Sequence, residues 1–247
     1  MTGDVKSQAG RTFWISVALA FLVLIGLGTW QLQRREWKLA LIERIESRAH
    51  GEPISLSFAK DLWSRARDVE YYRVLLVGRF RHEFERHLFT VDDGKAGWRV
   101  ITPLATASGD LVLVDRGFVP EELENPSSRP QGQIDGQVEL IGLARAPVSG
   151  GWFTPPGDAA RKRWFSRDVA GIAASLPDDQ TAHVVPFVVE AEAEPIPGGW
   201  PRAGGTRLEL PNRHLEYALT WYVLALTLLA VAFAYGRSRT GEIARQL

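Results

Sequence analysis

Two long apolar blocks without a charged side chain constrain this 247-residue chain more than any other feature. The first extends over residues 12–33 and the second over residues 217–236. A helix of about 20 apolar residues is long enough to cross the hydrocarbon core of a bilayer, which is roughly 30 Å thick. Trp14 and Trp30 lie near the ends of the first block, and indole rings favour the membrane interface. The blocks therefore predict two transmembrane helices.

These helices divide the chain into five predicted segments. We expect an N-terminal segment at 1–11, spans at 12–33 and 214–236, a domain at 34–213 and a tail at 237–247. A cleaved signal peptide is the alternative for the first span, and a buried core helix is the alternative for the second. The basic residues do not fix the orientation, because they lie on both sides of the first span: Lys6 and Arg11 before it, and Arg34, Arg35, Lys38 and Arg44 after it.

The central segment contains short β-branched and aromatic runs separated by turn residues. This pattern predicts a mainly antiparallel sheet or small barrel in an α+β domain. Trp37, Leu41 and Ile45 recur every four residues, so we expect the first helix to continue over 37–47. A second helix is predicted at 167–176. The predicted strands are 71–80, 87–91, 98–104, 111–119, 137–144 and 183–190.

Composition excludes several classes of function. The chain has 29 basic and 29 acidic side chains, and this balance gives no electrostatic reason to bind nucleic acid. It has no cysteine and only one methionine, which excludes cysteine-ligated zinc, iron–sulfur clusters and thiolate copper sites. The sequence also lacks the serine-hydrolase elbow, the P-loop and the dinucleotide-binding glycine motif. Histidine and oxygen ligands remain.

One histidine pair resembles a metalloprotease motif without its geometry. His82 and His87 are five residues apart instead of four, so they would point in different directions on a helix and to opposite faces on a strand. We therefore predict a solvated turn at 82–87.

His214 is the strongest candidate for chemistry. It lies at the start of the second span, and helical spacing places Tyr217 and Trp221 on roughly the same face. An imidazole beside aromatic rings at the interface is suited to ligate a haem iron. The alternative is an interfacial histidine among belt aromatics. Arg34 and its basic neighbours follow the first span and are suited to bind haem propionates or lipid phosphates.

Several motifs resemble the surfeit locus protein 1 family of cytochrome oxidase assembly factors. The resemblance extends over nearly the whole chain. Its two most specific motifs lie at the ends of the predicted spans: GTWQLQRREWK at 28–38 and NRHLEYALTWY at 212–222. Within the domain, the similar segments are GWRVITPL at 97–104, VLVDRGFVP at 112–120 and WFSRD at 164–168. Asp115 and Phe118 replace the usual Asn and Trp of the family pattern.

The resemblance implies a non-enzymatic helper protein with both termini in the cytoplasm and the central domain in the periplasm. Residues 1–11 are not Arg-rich and include Asp4, which is unlike a transit peptide, so a bacterial inner membrane is favoured. The implied partners are subunit I of a haem–copper oxidase and the lipid bilayer, with haem a synthase as a further candidate. Bacterial members are similar to haem a carriers that use the histidine matching His214.

The leading hypothesis is a carrier that holds haem a transiently and without a covalent bond. His214 would ligate the iron, while Trp30, Tyr217 and Trp221 shape an apolar slot and Arg34 faces a propionate. The alternative is a cofactor-free scaffold that stabilises an assembly intermediate of subunit I. An enzyme acting on haem or a membrane-bound substrate is a third hypothesis, which the lack of a recognisable acid–base or metal constellation disfavours.

Overall fold

The computed structural model describes residues 2–177, 183–205 and 212–244. The chain divides into two compact units, one formed by Met1–Arg44 with Glu209–Leu247 and the other by Ile45–Leu208. The first unit is helical, and the second is rich in β-strands.

Two long helices form the helical unit. Helix α1 covers Thr2–Ala49, and helix α4 covers His214–Ala244. Within them, Arg11–Ala49 and His214–Ser238 are long and apolar enough to cross a membrane, judged by length and composition alone. The predicted apolar helices near both ends of the chain are confirmed. The extension predicted at 37–47 is also confirmed, since it forms part of one continuous α1.

Small residues line the seam between α1 and α4. On α4, Ala218, Ala225 and Ala232 are buried at seven-residue intervals, which keeps them on one side of the helix. Gly28 of α1 is buried as well, and a Cβ at this position would lie 2.7 Å from the ring of Tyr222. Small side chains allow two helix backbones to approach closely, and this is a common way for helices to associate in lipid.

Strands dominate the second unit. Its two helices in the described part are α2 (Leu56–Ala66) and α3 (Val169–Ala174), and short 3-10 turns connect several other elements. The strands are β1 (Ile54–Ser55), β2 (Arg73–Phe80), β3 (Arg86–Asp92), β4 (Lys95–Thr106), β5 (Leu111–Pro120), β6 (Val138–Arg145), β7 (Arg163–Trp164) and β8 (Val184–Ala191).

Five of these strands close into a small barrel. The sheet has the order β1-β2-β6-β8-β5-β4-β3-β7, and an additional pairing between β2 and β4 closes the ring β2-β6-β8-β5-β4. The length of β4 allows this closure, because residues 95–101 pair with β3 and residues 104–106 pair with β2. Three pairings are parallel (β1–β2, β3–β7 and β5–β8) and the other five are antiparallel. The prediction of a mainly antiparallel β domain is confirmed.

Strand β5 is buried on both faces, because two apolar clusters share it. Val112 and Val114 belong to the larger cluster, which contains residues from all five barrel strands. Leu113 points to the opposite face, where it joins the cluster that includes Val169 and Ile172 of α3. This two-sided burial explains why β5 begins with four consecutive apolar residues, 111–114, instead of an alternating pattern.

The internal helices differ from the prediction. No helix is predicted at 56–66, yet α2 forms there because the hydroxyl of Ser55 accepts a hydrogen bond from the backbone N–H of Phe58 at 3.2 Å. Leu56, Ala59 and Trp63 recur on one side of α2 and pack against the larger apolar cluster. The helix predicted at 167–176 is present but shorter, and Asp168 caps it.

Candidate functional site

The two most specific sequence motifs meet at a hydrogen bond between His214 and Gln31. Nδ1 of His214 lies 2.8 Å from Oε1 of Gln31, although the two residues are 183 positions apart. Helix α4 begins at His214, and both side chains are half-buried. Packing of α1 against α4 therefore brings together Gln31 of the motif at 28–38 and His214 of the motif at 212–222.

This hydrogen bond determines which ring nitrogen of His214 stays available. A carboxamide oxygen only accepts hydrogen bonds, so Nδ1 must donate to Gln31. The neutral ring then keeps its lone pair on Nε2. Metal-bound histidines are held in the same way: one ring nitrogen binds the metal, and the other donates to a fixed oxygen. With Gln31 oriented this way, Nε2 of a neutral His214 ring is the nitrogen that can accept a ligand.

The three aromatic residues predicted to shape a slot remain largely accessible. Trp30 and Tyr217 are 53% and 55% exposed, and Trp221 is half-buried. Trp221 is seven positions from His214, or about two helical turns, so the two side chains lie on roughly the same side of α4.

An apolar groove of about 620 Å³ lies between α1 and α4, at 16–24 of α1 and 224–228 of α4. Val23 lines it from α1, and Leu224 and Leu228 line it from α4. Trp30 is seven residues from Val23, while Tyr217 and Trp221 are seven and three residues from Leu224. Each aromatic residue therefore lies on roughly the same helix face as a residue that lines the groove. Leu224 is ten residues beyond His214, which corresponds to about 15 Å along the axis. The other lining residues are Ser16, Leu19, Ala20, Leu24 and Thr227.

Arg34 is exposed and engaged by a neighbouring aromatic ring. Its guanidinium lies 4.4 Å from the centroid of the Trp37 ring. Arg34 follows Trp30 by four residues, so the two side chains start on the same face of α1. An exposed guanidinium on this face is accessible to an anionic group, although its position over Trp37 does not assign one.

Sequence reasoning missed two contacts that fix the helix pair near His214. Gln31 is the first, and the hydroxyl of Thr29 is the second. Thr29 donates to the carbonyl of Ile25 at 2.9 Å, so the phenol of Tyr222 is the donor in its 3.2 Å contact with Thr29. Gln31, Thr29 and Tyr222 all belong to the two membrane-end motifs. The motifs marked the segments that contain these residues, but only the packing of the helices showed which side chains contact each other.

A second polar centre is buried in the β domain. Glu85 and His87 are 2% and 6% exposed, and His87 Nε2 lies 3.1 Å from Glu85 Oε1. The guanidinium of Arg129, 4% exposed, also contacts Glu85. Burial tends to raise the pKa of Glu85, but the hydrogen bonds and charges of His87 and Arg129 outweigh it and lower the pKa. The predicted solvated turn at 82–87 is therefore wrong at 85–87, because Glu85, Arg86 and His87 are buried and the last two belong to β3.

This second centre has the features of a structural ion cluster. Arg129 also donates to the carbonyl of Leu123 at 3.0 Å, and this bond fixes a loop against the barrel. Nearby, Arg116 is 2% exposed, lies 4.7 Å over the ring of Phe80 and donates to the carbonyl of Gly132. Burial lowers the pKa of Arg116 to about 10. In the described part of the chain, no group of three or more His, Asp or Glu side chains is arranged to hold a metal ion.

Comparison with known proteins gives a consistent result. The model of the SURF1 family matches residues 18–226. Surfeit locus protein 1 of Xenopus tropicalis is 35% identical over 216 residues, which cover 80% of this chain and 67% of the relative. The human Surfeit locus protein 1 is 34% identical over 229 residues, with 86% and 73% covered. A SURF1-like protein of Monosiga brevicollis is 34% identical over 240 residues, with 92% and 88% covered.

Proposed function

Because the chain belongs to the SURF1 family of cytochrome oxidase assembly factors, we propose that it binds haem a beside His214 and assists its insertion into oxidase subunit I. The observation that carries this proposal is the hydrogen bond from His214 Nδ1 to Gln31, which leaves Nε2 as the free ligand atom. The role is non-catalytic: the chain would bind, protect and release the cofactor, and the iron would supply the open coordination position needed for transfer.

The residues around His214 fit one side of a porphyrin. Trp30, Tyr217 and Trp221 offer aromatic surface next to the imidazole, and their exposure leaves room for a large flat ligand. Arg34 is exposed on the face of Trp30 and would hold a propionate. One histidine ligand on an open surface suits a carrier, since two strong ligands in a closed pocket would retain the cofactor.

The groove between α1 and α4 is suited to the second feature of haem a, its long isoprenoid tail. The lining of the groove is almost entirely apolar, and the aromatic residues near His214 lie on roughly the same helix faces as residues that line it. We assign the tail to the groove because a flexible hydrocarbon chain needs shape and apolar contact and no hydrogen-bond partner. Haem b lacks this tail, so the groove would favour haem a.

The proposed topology follows from the same helices. The segments 12–33 and 214–236, within the helices Arg11–Ala49 and His214–Ser238, would each cross the bilayer, with both termini in the cytoplasm and the β domain in the periplasm. The bacterial inner membrane is the compartment we propose, although the relatives named above are eukaryotic. Subunit I would receive the haem, and haem a synthase is the candidate donor.

A cofactor-free scaffold is the second candidate function. It is favoured by the exposure of Trp30, Trp37 and Tyr217, because large apolar side chains of this kind on the lipid-facing surface of a helix pair are suited to pack against helices of another membrane protein. In this alternative, His214 and Gln31 only fix the helix pair. Copurification of subunit I from cells unable to make haem a would support the scaffold.

The test is to purify the protein from membranes that contain haem a and to measure haem per polypeptide by visible spectroscopy. We expect bound haem in the wild type and a loss of most of it in His214→Ala. His50→Ala is the matched control, because His50 is exposed just after the end of α1 and its ring contacts the carbonyl of Glu46. Equal haem content in wild type and His214→Ala would refute the ligand assignment.

A further inference from the structure

The most exposed aromatic side chains of the β domain stand together at the tip of one loop. Trp152 and Phe153 are 96% and 95% exposed. The loop joins β6 to β7, and no residue from 146 to 157 carries a charge. Neither side chain belongs to an apolar cluster of the domain, whereas most of the domain's other aromatic side chains pack against neighbours.

A tight turn holds both rings outward. The backbone N–H of Thr154 donates to the carbonyl of Gly151 at 2.9 Å, and the N–H of Gly151 donates to the hydroxyl of Thr154 at 3.0 Å. These two bonds place Trp152 and Phe153 at the central positions of a four-residue turn. The rings are therefore presented by an ordered turn and not by an irregular segment.

The base of the loop is fixed as well. The N–H of Val148 donates to the carbonyl of Arg167 at 3.0 Å, and the guanidinium of Arg167 donates to the carbonyl of Ala146 at 2.7 Å. Pro155 and Pro156 follow the turn and restrict the backbone further. A fixed base and a fixed turn mean that insertion of the tip into another medium costs little ordering entropy.

We propose that the Trp152–Phe153 tip inserts into the headgroup layer of a lipid bilayer and acts as a third membrane contact of the chain. Trp and Phe are the side chains expected at this interface, and an uncharged segment can enter it without burying a charge. The proposal rests on the proposed attachment of the terminal helices to a bilayer and is independent of haem binding.

The size of the patch favours lipid over a protein partner. Two aromatic side chains bury about 150–250 Å² each, whereas a stable protein interface needs about 800 Å² from each partner. Ser149, Gly150, Gly151 and Thr154 beside the tip add little apolar area, while the exposed Val148, Pro155 and Pro156 extend the uncharged apolar surface of the loop. A small anchor is sufficient for a bilayer contact, because the terminal helices would already keep the domain at a high effective concentration near the membrane.

The absence of cysteine from the sequence makes a clean test possible. The full chain is reconstituted at low protein density in vesicles of phosphatidylcholine and phosphatidylglycerol, with a single spin label at Phe153→Cys. Leu22→Cys, on an exposed position of α1, is the control for the bilayer, and Ala107→Cys, in the turn between β4 and β5, is the control for water. Depth is read from the accessibility of each label to oxygen and to a water-soluble nickel chelate.

We expect the label at 153 to show a ratio of oxygen to nickel accessibility several-fold above that at 107 and below that at 22. Adding Trp152→Ala should return the ratio at 153 toward the value at 107. A ratio at 153 equal to that at 107, with the label at 22 in lipid, would overturn the proposal while leaving the spans intact, and a protein partner would then be the better occupant. A label at 22 that is open to water would refute both the spans and the anchor.

Discussion

The helix pair and the β domain use polar residues in opposite ways. In the β domain, buried charges pair with one another: Arg145 contacts Glu70 and Glu190 at 2.8 Å each. In the helix pair, the contact surface is made mainly of small and apolar residues, and the hydrogen bond of His214 occupies only one of its two ring nitrogens. These ion pairs stabilise the β domain, while the hydrogen bond between His214 and Gln31 joins two helices.

This contrast teaches how to separate structural from functional histidines in the same chain. His87 is more deeply buried than His214 and has a carboxylate neighbour, yet its surroundings are an ion cluster that fixes a loop. His214 is less buried, and its hydrogen bond from Nδ1 to Gln31 joins the two helices. Burial alone is thus a poor guide to function, because the more deeply buried histidine lies in the ion cluster.

Removing one member of the buried ion cluster should have the largest effect. We expect Arg129→Ala to lower the free energy of unfolding by about 3–5 kcal/mol, because Glu85 would stay buried without its guanidinium. Thermal or denaturant unfolding of the purified chain, followed by near-ultraviolet circular dichroism, measures this change. Arg161→Ala is the control, since this exposed side chain pairs with Asp158 only at 3.7 Å and should cost less than about 0.5 kcal/mol. Equal losses in the two variants would contradict the assignment.

The pH dependence of stability tests the contribution of Glu85 to the buried ion cluster. The fold lowers the pKa of Glu85 from its ordinary value of 4.5, because the contributions of His87 and Arg129 exceed the effect of burial. A lowered carboxyl pKa stabilises the fold above the ordinary pKa, and this contribution is lost as the pH falls through the lower folded value. We expect the stability of the wild type to decrease below about pH 4.5 and that of Glu85→Gln to decrease less steeply over the same range.

Acid unfolding series of both proteins would measure the two slopes. Glu83→Gln, whose side chain is 55% exposed, should retain the steeper dependence of the wild type. Parallel curves for wild type and Glu85→Gln would show that Glu85 makes no net contribution to acid sensitivity.

The smallest effect is expected from filling the groove of the helix pair. Val23→Trp would occupy the groove and remove about ten carbon–carbon contacts from an isoprenoid tail, which corresponds to about 1 kcal/mol or roughly fivefold weaker binding. Surrounding lipid offers the tail a similar apolar medium, so the loss concerns packing only. Titration with haem a and haem b tests this: haem a binding should weaken, and haem b binding should not. The same loss for both haems would contradict a tail site.

The sequence predicted the elements of this fold better than their assembly. An uncharged apolar block is a local property, so the terminal helices could be read directly, and β-branched runs revealed most strands. Closure of the barrel could not be read, because it depends on the pairing of residues 78–80 with 104–106. The burial of His87 was also missed, because it depends on contacts between distant segments: Arg129 contacts Glu85 from a loop 44 positions away.

The candidate site shows the same limit. Its histidine and aromatic residues were predicted from one helix, where i, i+3 and i+4 spacing is reliable. Gln31 was not predicted as the partner of His214, because the contact joins two helices whose register depends on Gly28 and on the alanine seam of α4. Motif resemblance marked both segments, but only packing showed that they form one hydrogen-bonded pair.

The most direct test of His214 as an axial ligand is resonance Raman spectroscopy of the ferrous haem a complex. An iron–imidazole stretching band is expected in the wild type. Gln31→Leu should keep the band but shift it, because the hydrogen bond to Nδ1 tunes the imidazole as a ligand. His214→Ala should lack the band. An unchanged band in His214→Ala would show that another residue ligates the iron and would contradict the central claim.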